Sequence, residues 1–245
     1  MPYYYGYGYD MTYIVLVLPC ILLSLWASSN VKSTFNKYSK QFSQRRLTGA
    51  EAAQRVLMAH GVRGVRIERV SGNLTDHYDP KTNVIRLSDS VYSSPSIAAI
   101  GVACHEAGHA VQYAEHYAPI KLRAAIIPLT NFGSKIAMPL ILLGILFSAF
   151  GSSSDSMLSL LMVNLGIAAF GLSLVFQLIT LPVEFNASRR AMQTIESAGL
   201  LTEEEQRGAK KTLKAAALTY VAATAVALAQ LLRLIAIFGG RRRRD

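Results

Sequence analysis

The sequence predicts a mainly α-helical membrane protein with a small β-sheet. Hydrophobic residues make up 51% of the 245 positions, and charged residues only 16%. Residues 157–181 contain no charged side chain, and a helix of that length is long enough to cross a bilayer. Two short stretches, residues 65–70 and 83–87, are strand-like, and in the first of them polar and apolar residues alternate.

The first apolar segment, residues 11–28, is also about one membrane span long. No Lys or Arg precedes it, whereas several basic residues follow it closely: Lys32, Lys37, Lys40, Arg45 and Arg46. By the positive-inside rule, we expect the N-terminus outside and the following segment in the cytoplasm. A cleaved signal peptide is the alternative, but the missing basic residues before the apolar run favour an uncleaved anchor.

The segment that follows combines a helix with the small sheet. Thr48 and Glu51 have the spacing of a capping box, and Gly61 provides a stop signal for the helix that they open. Residues 79–83 are typical of a turn between the extended pieces. We expect the last strand of this sheet to lie at an edge, where a peptide substrate could add as a further strand; an ordinary hairpin is an equal alternative.

The strongest chemical signal is the run His105-Glu106-Ala107-Gly108-His109, which has the H-E-x-x-H pattern of zinc sites. On a helix, positions i and i+4 share a face, so both imidazoles can reach one metal ion. Glu106 is rotated away from that face and is not expected to bind the metal. From its position beside the metal it can take a proton from water. Ser94 and Pro95 are the expected start of this helix. Two ordinary core histidines are the alternative interpretation.

A membrane hairpin separates this helix from the best candidate for a third ligand. Residues 136–151 and 157–181 are the expected arms, joined by the polar loop 152–156, and Pro182 is expected to end or kink the second arm. Glu184 is the first charge after it, with Ser188 one turn further along. The alternative is an interfacial glutamate paired with a neighbouring arginine.

The C-terminal segment and the net charge leave topology partly open. Residues 215–238 are apolar apart from Arg233 and are followed by four arginines, 241–244. Either this segment is a fourth span, which its length favours, or it packs on the zinc-site segment with the tail at the anionic cytoplasmic surface.

The net charge of +10 reflects basic residues whose positions follow membrane topology, and no platform of aromatic and basic residues indicates binding of nucleic acid. Cys20 and Cys104 do not form a disulfide framework.

The sequence resembles the YugP-type neutral zinc metallopeptidases of bacterial membranes and, more distantly, the HtpX and CAAX prenyl protease families. Besides the H-E-x-x-H run and residues 184–189, the resemblance covers residues 31–39, 47–51, 74–80, 131–134 and 238–240. It implies a membrane-anchored, gluzincin-like peptidase that holds one Zn²⁺ through His105, His109 and Glu184, with Glu106 as general base. HtpX proteins carry Asp where this chain has Ser188, so the groups that orient the ligands are expected to differ.

These observations divide the chain into five expected segments: residues 1–29, the tail and anchor; 30–134, the cytoplasmic zinc-site segment; 135–181, the membrane hairpin; 182–214, the third-ligand helix with an acidic and basic helix; and 215–245, the last apolar helix and Arg tail. The leading function is a zinc endopeptidase at the cytoplasmic face of the cell membrane, acting on membrane or membrane-proximal polypeptides. The alternatives are an intramembrane site-2-type protease and a non-catalytic membrane scaffold stapled by zinc.

Overall fold

A computed structural model of the chain describes residues 11–150 and 156–239. The elements in order are a π-helical turn Tyr13–Val17, α1 Leu18–Tyr38, α2 Gly49–Ala59, β1 Arg66–Val70, β2 His77–Asp79, β3 Val84–Ser88, α3 Ile97–Ala114, α4 Ala118–Phe150, α5 Ser156–Ser197 and α6 Glu203–Phe238. The predicted fold, mainly helical with a small sheet, is confirmed. The Tyr-rich N-terminus, most of the polar loop 152–156 and the Arg tail lie outside the described residues.

Among the described residues, four helices are long and apolar enough to cross a membrane: Tyr13–Tyr38, Ala118–Phe150, Met157–Ser197 and Glu203–Phe238. The chain forms two compact units. One consists of the described parts of Met1–Trp26, Arg123–Ile179 and Tyr220–Asp245, and the other of Ala27–Leu122 and Thr180–Thr219. The first unit therefore contains most of the apolar helical length, and the second contains α2, α3 and the sheet.

Within the first unit, α4 and α5 pack closely at glycines. A Cβ atom added at Gly144 would lie 2.8 Å from the carbonyl oxygen of Ser159, and one added at Gly166 would lie 2.8 Å from that of Ala137. The hydroxyl of Ser159 also donates to the carbonyl of Gly144 at 2.6 Å. Such close contact through small residues is typical of helices that associate in a bilayer. Large apolar side chains remain exposed, among them Leu142, Leu146, Phe147, Leu160 and Leu161.

Local signals in the second unit begin and end its helices. The predicted capping box is present, because Thr48 Oγ1 accepts from the Glu51 N–H and Glu51 Oε2 accepts from the Thr48 N–H. Gly61, with a φ of 65°, follows the end of α2. The expected cap of α3 is wrong by two residues: Ser96 has the extended backbone of an N-cap and accepts from the Ala99 N–H, whereas Ser94 donates to Ser96.

The sheet has the order β1-β3-β2, so the prediction that its last strand is an edge is wrong. β3 pairs in parallel with β1. It also pairs antiparallel with β2, to which it is joined by the turn that precedes Val84. Val84, Ile85 and Leu87 of β3 are fully buried, as is typical of a strand that lies between two others. A substrate therefore cannot extend the sheet at β3, since the strand is hydrogen-bonded on both sides.

The alternative in which Pro182 ends the second arm of the hairpin is wrong, because the helix does not stop there. α4 continues through Pro128 and Pro139, and α5 continues through Pro182. Within α5, the missing N–H of Pro182 removes one backbone hydrogen bond, the one to the carbonyl four residues earlier, and long apolar helices tolerate this loss. As a result, Glu184 lies on the same helix as the uncharged segment that precedes it, not on a new one.

Candidate metal centre

Three side chains that the sequence marks as candidate ligands lie together in the second unit. α3 presents His105 and His109 one turn apart, with ring centroids 4.8 Å apart and the rings nearly perpendicular. α5 brings Glu184 between them: its Oε2 atom lies 3.2 Å from Nε2 of His105 and 3.6 Å from Nε2 of His109. One donor atom from each residue lies within 4.8 Å of the other two.

This donor set fits a zinc ion. Zinc prefers imidazole nitrogen and carboxylate oxygen at about 2.0–2.2 Å, so two ligands at a tetrahedral angle are separated by about 3.3–3.6 Å. The two separations between Glu184 and the histidines match that spacing closely. In residues 11–150 and 156–239, no further His, Cys, Asp or Glu joins the group, so it offers three protein ligands and leaves a coordination position for water or substrate.

A glycine lets the two helices come close enough for this arrangement. Gly108 packs directly on the backbone of Ala187 in α5. Since Gly108 precedes His109 and Ala187 lies one turn beyond Glu184, the close approach occurs at the level of the candidate ligands. The small residue within the H-E-x-x-H run therefore has a structural role in bringing the carboxylate to the histidines.

The ring nitrogens that face away from Glu184 also have partners. Nδ1 of His105 lies 3.1 Å from the hydroxyl of Ser188, on α5, as the spacing of Glu184 and Ser188 suggested. Nδ1 of His109 lies 3.0 Å from Oε1 of Gln112, on α3. Hydrogen bonds of this kind orient metal-binding imidazoles. Sequence reasoning missed Gln112, although its position three residues after His109 places it on the same side of the helix.

Two carboxylates, those of Glu184 and Glu106, make the buried site favour positive charge. Glu184 is 2% exposed and His109 is 8% exposed. Burial favours the neutral ring of His109, but the Glu184 carboxylate and the nearby Glu106 outweigh it, and the pKa of His109 is raised. The field that favours a proton here also favours a divalent cation, because both are positive charges placed against the same carboxylates.

Glu106, the candidate general base, is buried on α3 next to His105. It lies close enough to Asp76 for the two carboxylates to repel each other, and burial together with this repulsion raises the pKa of Asp76. Hydrogen bonds from the Ser88 backbone and hydroxyl hold Asp76 in place. Asp76 was not identified as a neighbour of the site from the sequence, although it lies within the stretch 74–80 that carries the family resemblance.

Several other histidine and arginine side chains of the second unit make contacts outside the cluster. His60 contacts Glu115 and Thr194, and His77 contacts the carbonyl of Thr75. Arg190 donates to Asn186 and pairs with Glu115. His116 and Arg189 are exposed. None of these side chains belongs to the group of donors around Glu184 in the described parts of the chain.

Comparisons with known proteins show the family to which the chain belongs. The family described as "Putative neutral zinc metallopeptidase" matches residues 13–239. The chain is similar to a protein of Bacillus subtilis (strain 168) named "Putative membrane protease YugP", with 49% identity over 228 residues that cover 93% of this chain and 97% of the relative. No solved structure matches significantly. From the extent of both matches, the chain belongs to the neutral zinc metallopeptidase family so described.

Proposed function

We propose that this protein is a membrane-embedded, zinc-dependent endopeptidase that hydrolyses peptide bonds of membrane or membrane-proximal proteins. The observation that carries the proposal is the meeting of His105 and His109 from α3 with Glu184 from α5 at zinc-like separations. We infer that these three side chains hold one Zn²⁺ in a gluzincin-like site. Membership of the metallopeptidase family supports zinc as the metal and a polypeptide as the substrate.

Three ligands favour catalysis over a structural role. A structural zinc site is closed by four protein ligands, whereas a catalytic one keeps a position for water or substrate. The group formed by the described residues has three donors. A scaffold stapled by zinc would require a fourth donor from the same region, so the peptidase is the better interpretation.

A zinc ion held at this site would supply polarisation of the scissile carbonyl and a lowered pKa of water. Glu106 accepts the proton of the attacking water through its carboxylate and delivers it to the leaving amine nitrogen. His105, His109 and Glu184 would hold this ion.

The sequence around Glu184 supports action at a membrane surface. Glu184 follows the uncharged stretch 157–181 by three residues and belongs to the same helix, α5. By the positive-inside rule, the basic residues that flank the apolar segments support a cytoplasmic position for the segment that carries the site. We therefore propose a multi-pass protein of the cell membrane whose active site lies near the cytoplasmic face and accepts polypeptide segments that emerge from the bilayer.

The proposal is tested by measuring zinc content and cleavage in the same preparations of purified protein in detergent, with casein as an unstructured substrate. The wild type is compared with Glu106→Gln and Glu184→Ala, and Glu196→Ala, an exposed glutamate of the same helix, is the matched control. We expect one zinc and cleavage for wild type and control, zinc without cleavage for Glu106→Gln, and loss of both for Glu184→Ala.

Two results would contradict the proposal. Absence of zinc from the wild type would show that the proposed metal site does not exist. Full zinc content in Glu184→Ala would show that Glu184 is not a ligand. Cleavage that persists in Glu106→Gln would assign the proton transfer to another group.

A further inference from the structure

Gln112 links the two helices that carry the candidate ligands. It lies on α3, three residues after His109, and is completely buried. Its Oε1 atom lies 3.0 Å from Nδ1 of His109. Its Nε2 atom donates to the carbonyl of Val183 at 2.8 Å and to Oδ1 of Asn186 at 2.9 Å. One side chain thus contacts a candidate ligand on α3 and two residues close to Glu184 on α5.

The hydrogen bonds to α5 determine which way the amide of Gln112 points. A backbone carbonyl can only accept, so the carbonyl of Val183 must face the amide nitrogen. The Oδ1 atom of Asn186 is an acceptor as well, because it also accepts a hydrogen bond from Nε of Arg190 at 2.7 Å. With its nitrogen directed at both acceptors, Gln112 must direct its oxygen at His109. Reversing the amide would place oxygen against oxygen at two contacts.

This orientation fixes the tautomer of His109. The amide oxygen of Gln112 accepts only, so Nδ1 of His109 must carry the hydrogen. The lone pair is then on Nε2, the nitrogen that faces Glu184. His105 has no such constraint, because the hydroxyl of Ser188 can donate or accept and is compatible with either tautomer.

We propose that Gln112 is a positioning residue that holds His109 in the tautomer with Nε2 free for metal and keeps its ring directed at α5. This inference rests on the proposed role of His109 as a zinc ligand. A purely structural role for Gln112, as a polar link between two helices, would affect stability without selecting a tautomer. The two roles therefore differ in a property that can be measured on the histidine itself.

The first measurement uses the full-length wild-type protein in nanodiscs after treatment with a chelator, labelled with ¹⁵N at histidine. At alkaline pH, where imidazoles are neutral, long-range proton–nitrogen spectra distinguish a protonated Nδ1 from a protonated Nε2. We expect His109 to carry its hydrogen on Nδ1. A predominant hydrogen on Nε2 would overturn the proposal without any variant, so the test does not depend on a substituted protein that folds.

The second measurement is zinc affinity, determined by competition with a chromophoric chelator. Gln112→Met keeps the side-chain volume but removes the amide, and we expect a 10- to 100-fold loss of affinity, as is usual when such an orienting group is lost. Gln206→Met is the matched control, because Gln206 also donates its amide to a backbone carbonyl but lies on α6. The control should retain wild-type affinity within about twofold.

A further variant separates tautomer selection from helix linkage. Gln112→Glu keeps an acceptor for His109 but places a second oxygen against the carbonyl of Val183. We expect it to preserve the His109 tautomer while lowering the melting temperature. Wild-type zinc affinity in Gln112→Met would overturn the proposal, whereas absence of zinc from the wild type would overturn the proposed function instead.

Discussion

Gly108 and Ala187 meet backbone to backbone: a Cβ atom added at Gly108 would lie 2.7 Å from the carbonyl oxygen of Ala187. Real Cβ atoms almost never approach a neighbour so closely, and a helix backbone cannot move aside as a flexible side chain can. Gly101, two turns earlier on α3, differs, because its added Cβ would lie 3.5 Å from the nearest atom of Ala209, an ordinary contact. The two glycines therefore provide a matched comparison on one helix.

We expect Gly108→Ala to displace α3 from α5 and to weaken zinc binding. Overpacking of this kind costs about 1–3 kcal/mol, and here the movement separates His109 from Glu184. Zinc affinity and melting temperature of the purified protein are the measurements. Both should fall, and cleavage of casein should fall with them.

Gly101→Ala is the control, and it should leave zinc affinity unchanged and raise stability, since Ala exceeds Gly in helix propensity by about 1 kcal/mol. Equal zinc affinity in the two variants would show that close packing at Gly108 is unnecessary for the site.

Ser188 gives a second prediction, since its hydroxyl contacts Nδ1 of His105. Ser188→Ala removes the contact, and we expect zinc affinity to fall by up to about 10-fold, at the lower end of the usual loss. The loss should be smaller than in Gln112→Met, because a hydroxyl that can donate or accept constrains the ring less than an amide of fixed orientation. The zinc affinity of both variants is measured by competition with a chelator.

Ser188→Asp is the matched gain-of-contact variant. A carboxylate accepts strongly from the Nδ1 hydrogen of His105 and orients the ring more firmly. Zinc affinity at or above that of the wild type is the expected result. A fall as large as that of Ser188→Ala would argue against any orienting role at this position.

The ionisation of Asp79 is expected to make the stability of the folded protein depend on pH. The Thr82 hydroxyl, the Arg86 guanidinium and the Lys81 N–H all donate to its carboxylate, and they hold its pKa well below the ordinary range. The folded state therefore binds this proton more weakly than the unfolded state, whose pKa is about 3.9. The contribution of Asp79 is complete above that pH and is lost as the pH falls below it.

Asp79→Asn should accordingly lower the melting temperature at pH 7, and the difference from wild type should shrink as the pH falls below about 4. Thr82→Val removes one of the same hydrogen bonds and should reduce the pH dependence of the difference. A difference between Asp79→Asn and wild type that stays constant over this range would show that the charge of Asp79 is not involved.

Local patterns in the sequence were sufficient for parts of the fold and for the candidate ligands. The capping box at Thr48 depends on residues three apart, and the shared face of His105 and His109 depends on the helical period. Glu184 could be singled out because it is the first charge after a long apolar segment. Each of these inferences uses interactions within one element or at its end.

The features that were missed depend on contacts between distant parts of the chain. The central position of β3 results from parallel pairing with β1, which no local pattern specifies. The continuity of α5 through Pro182 is likewise not specified by the local pattern, since proline ordinarily interrupts a helix. Gln112 could be recognised only once Val183 was known to lie beside it. Strand order and orienting contacts therefore required the structure.

The last prediction concerns topology and uses cysteine labelling in cells. Cys104 is buried, and burial raises the pKa of its thiol, so it should not react; Cys20 is replaced by Ala. Lys81→Cys, at an exposed position of the second unit, should react with a membrane-impermeant maleimide only after permeabilisation. Tyr5→Cys should react in intact cells, because the positive-inside rule places the N-terminus outside.

Asp245→Cys then decides whether α6 crosses the bilayer. The length of α6 favours a fourth span, which would carry the C-terminus outside and make this cysteine reactive in intact cells. Protection until permeabilisation would indicate instead that the four arginines hold the tail at the cytoplasmic surface, where each contributes about 1 kcal/mol of attraction to anionic lipid. Labelling of Lys81→Cys in intact cells would contradict an active site on the cytoplasmic side, because Lys81 and the candidate ligands belong to the same compact unit.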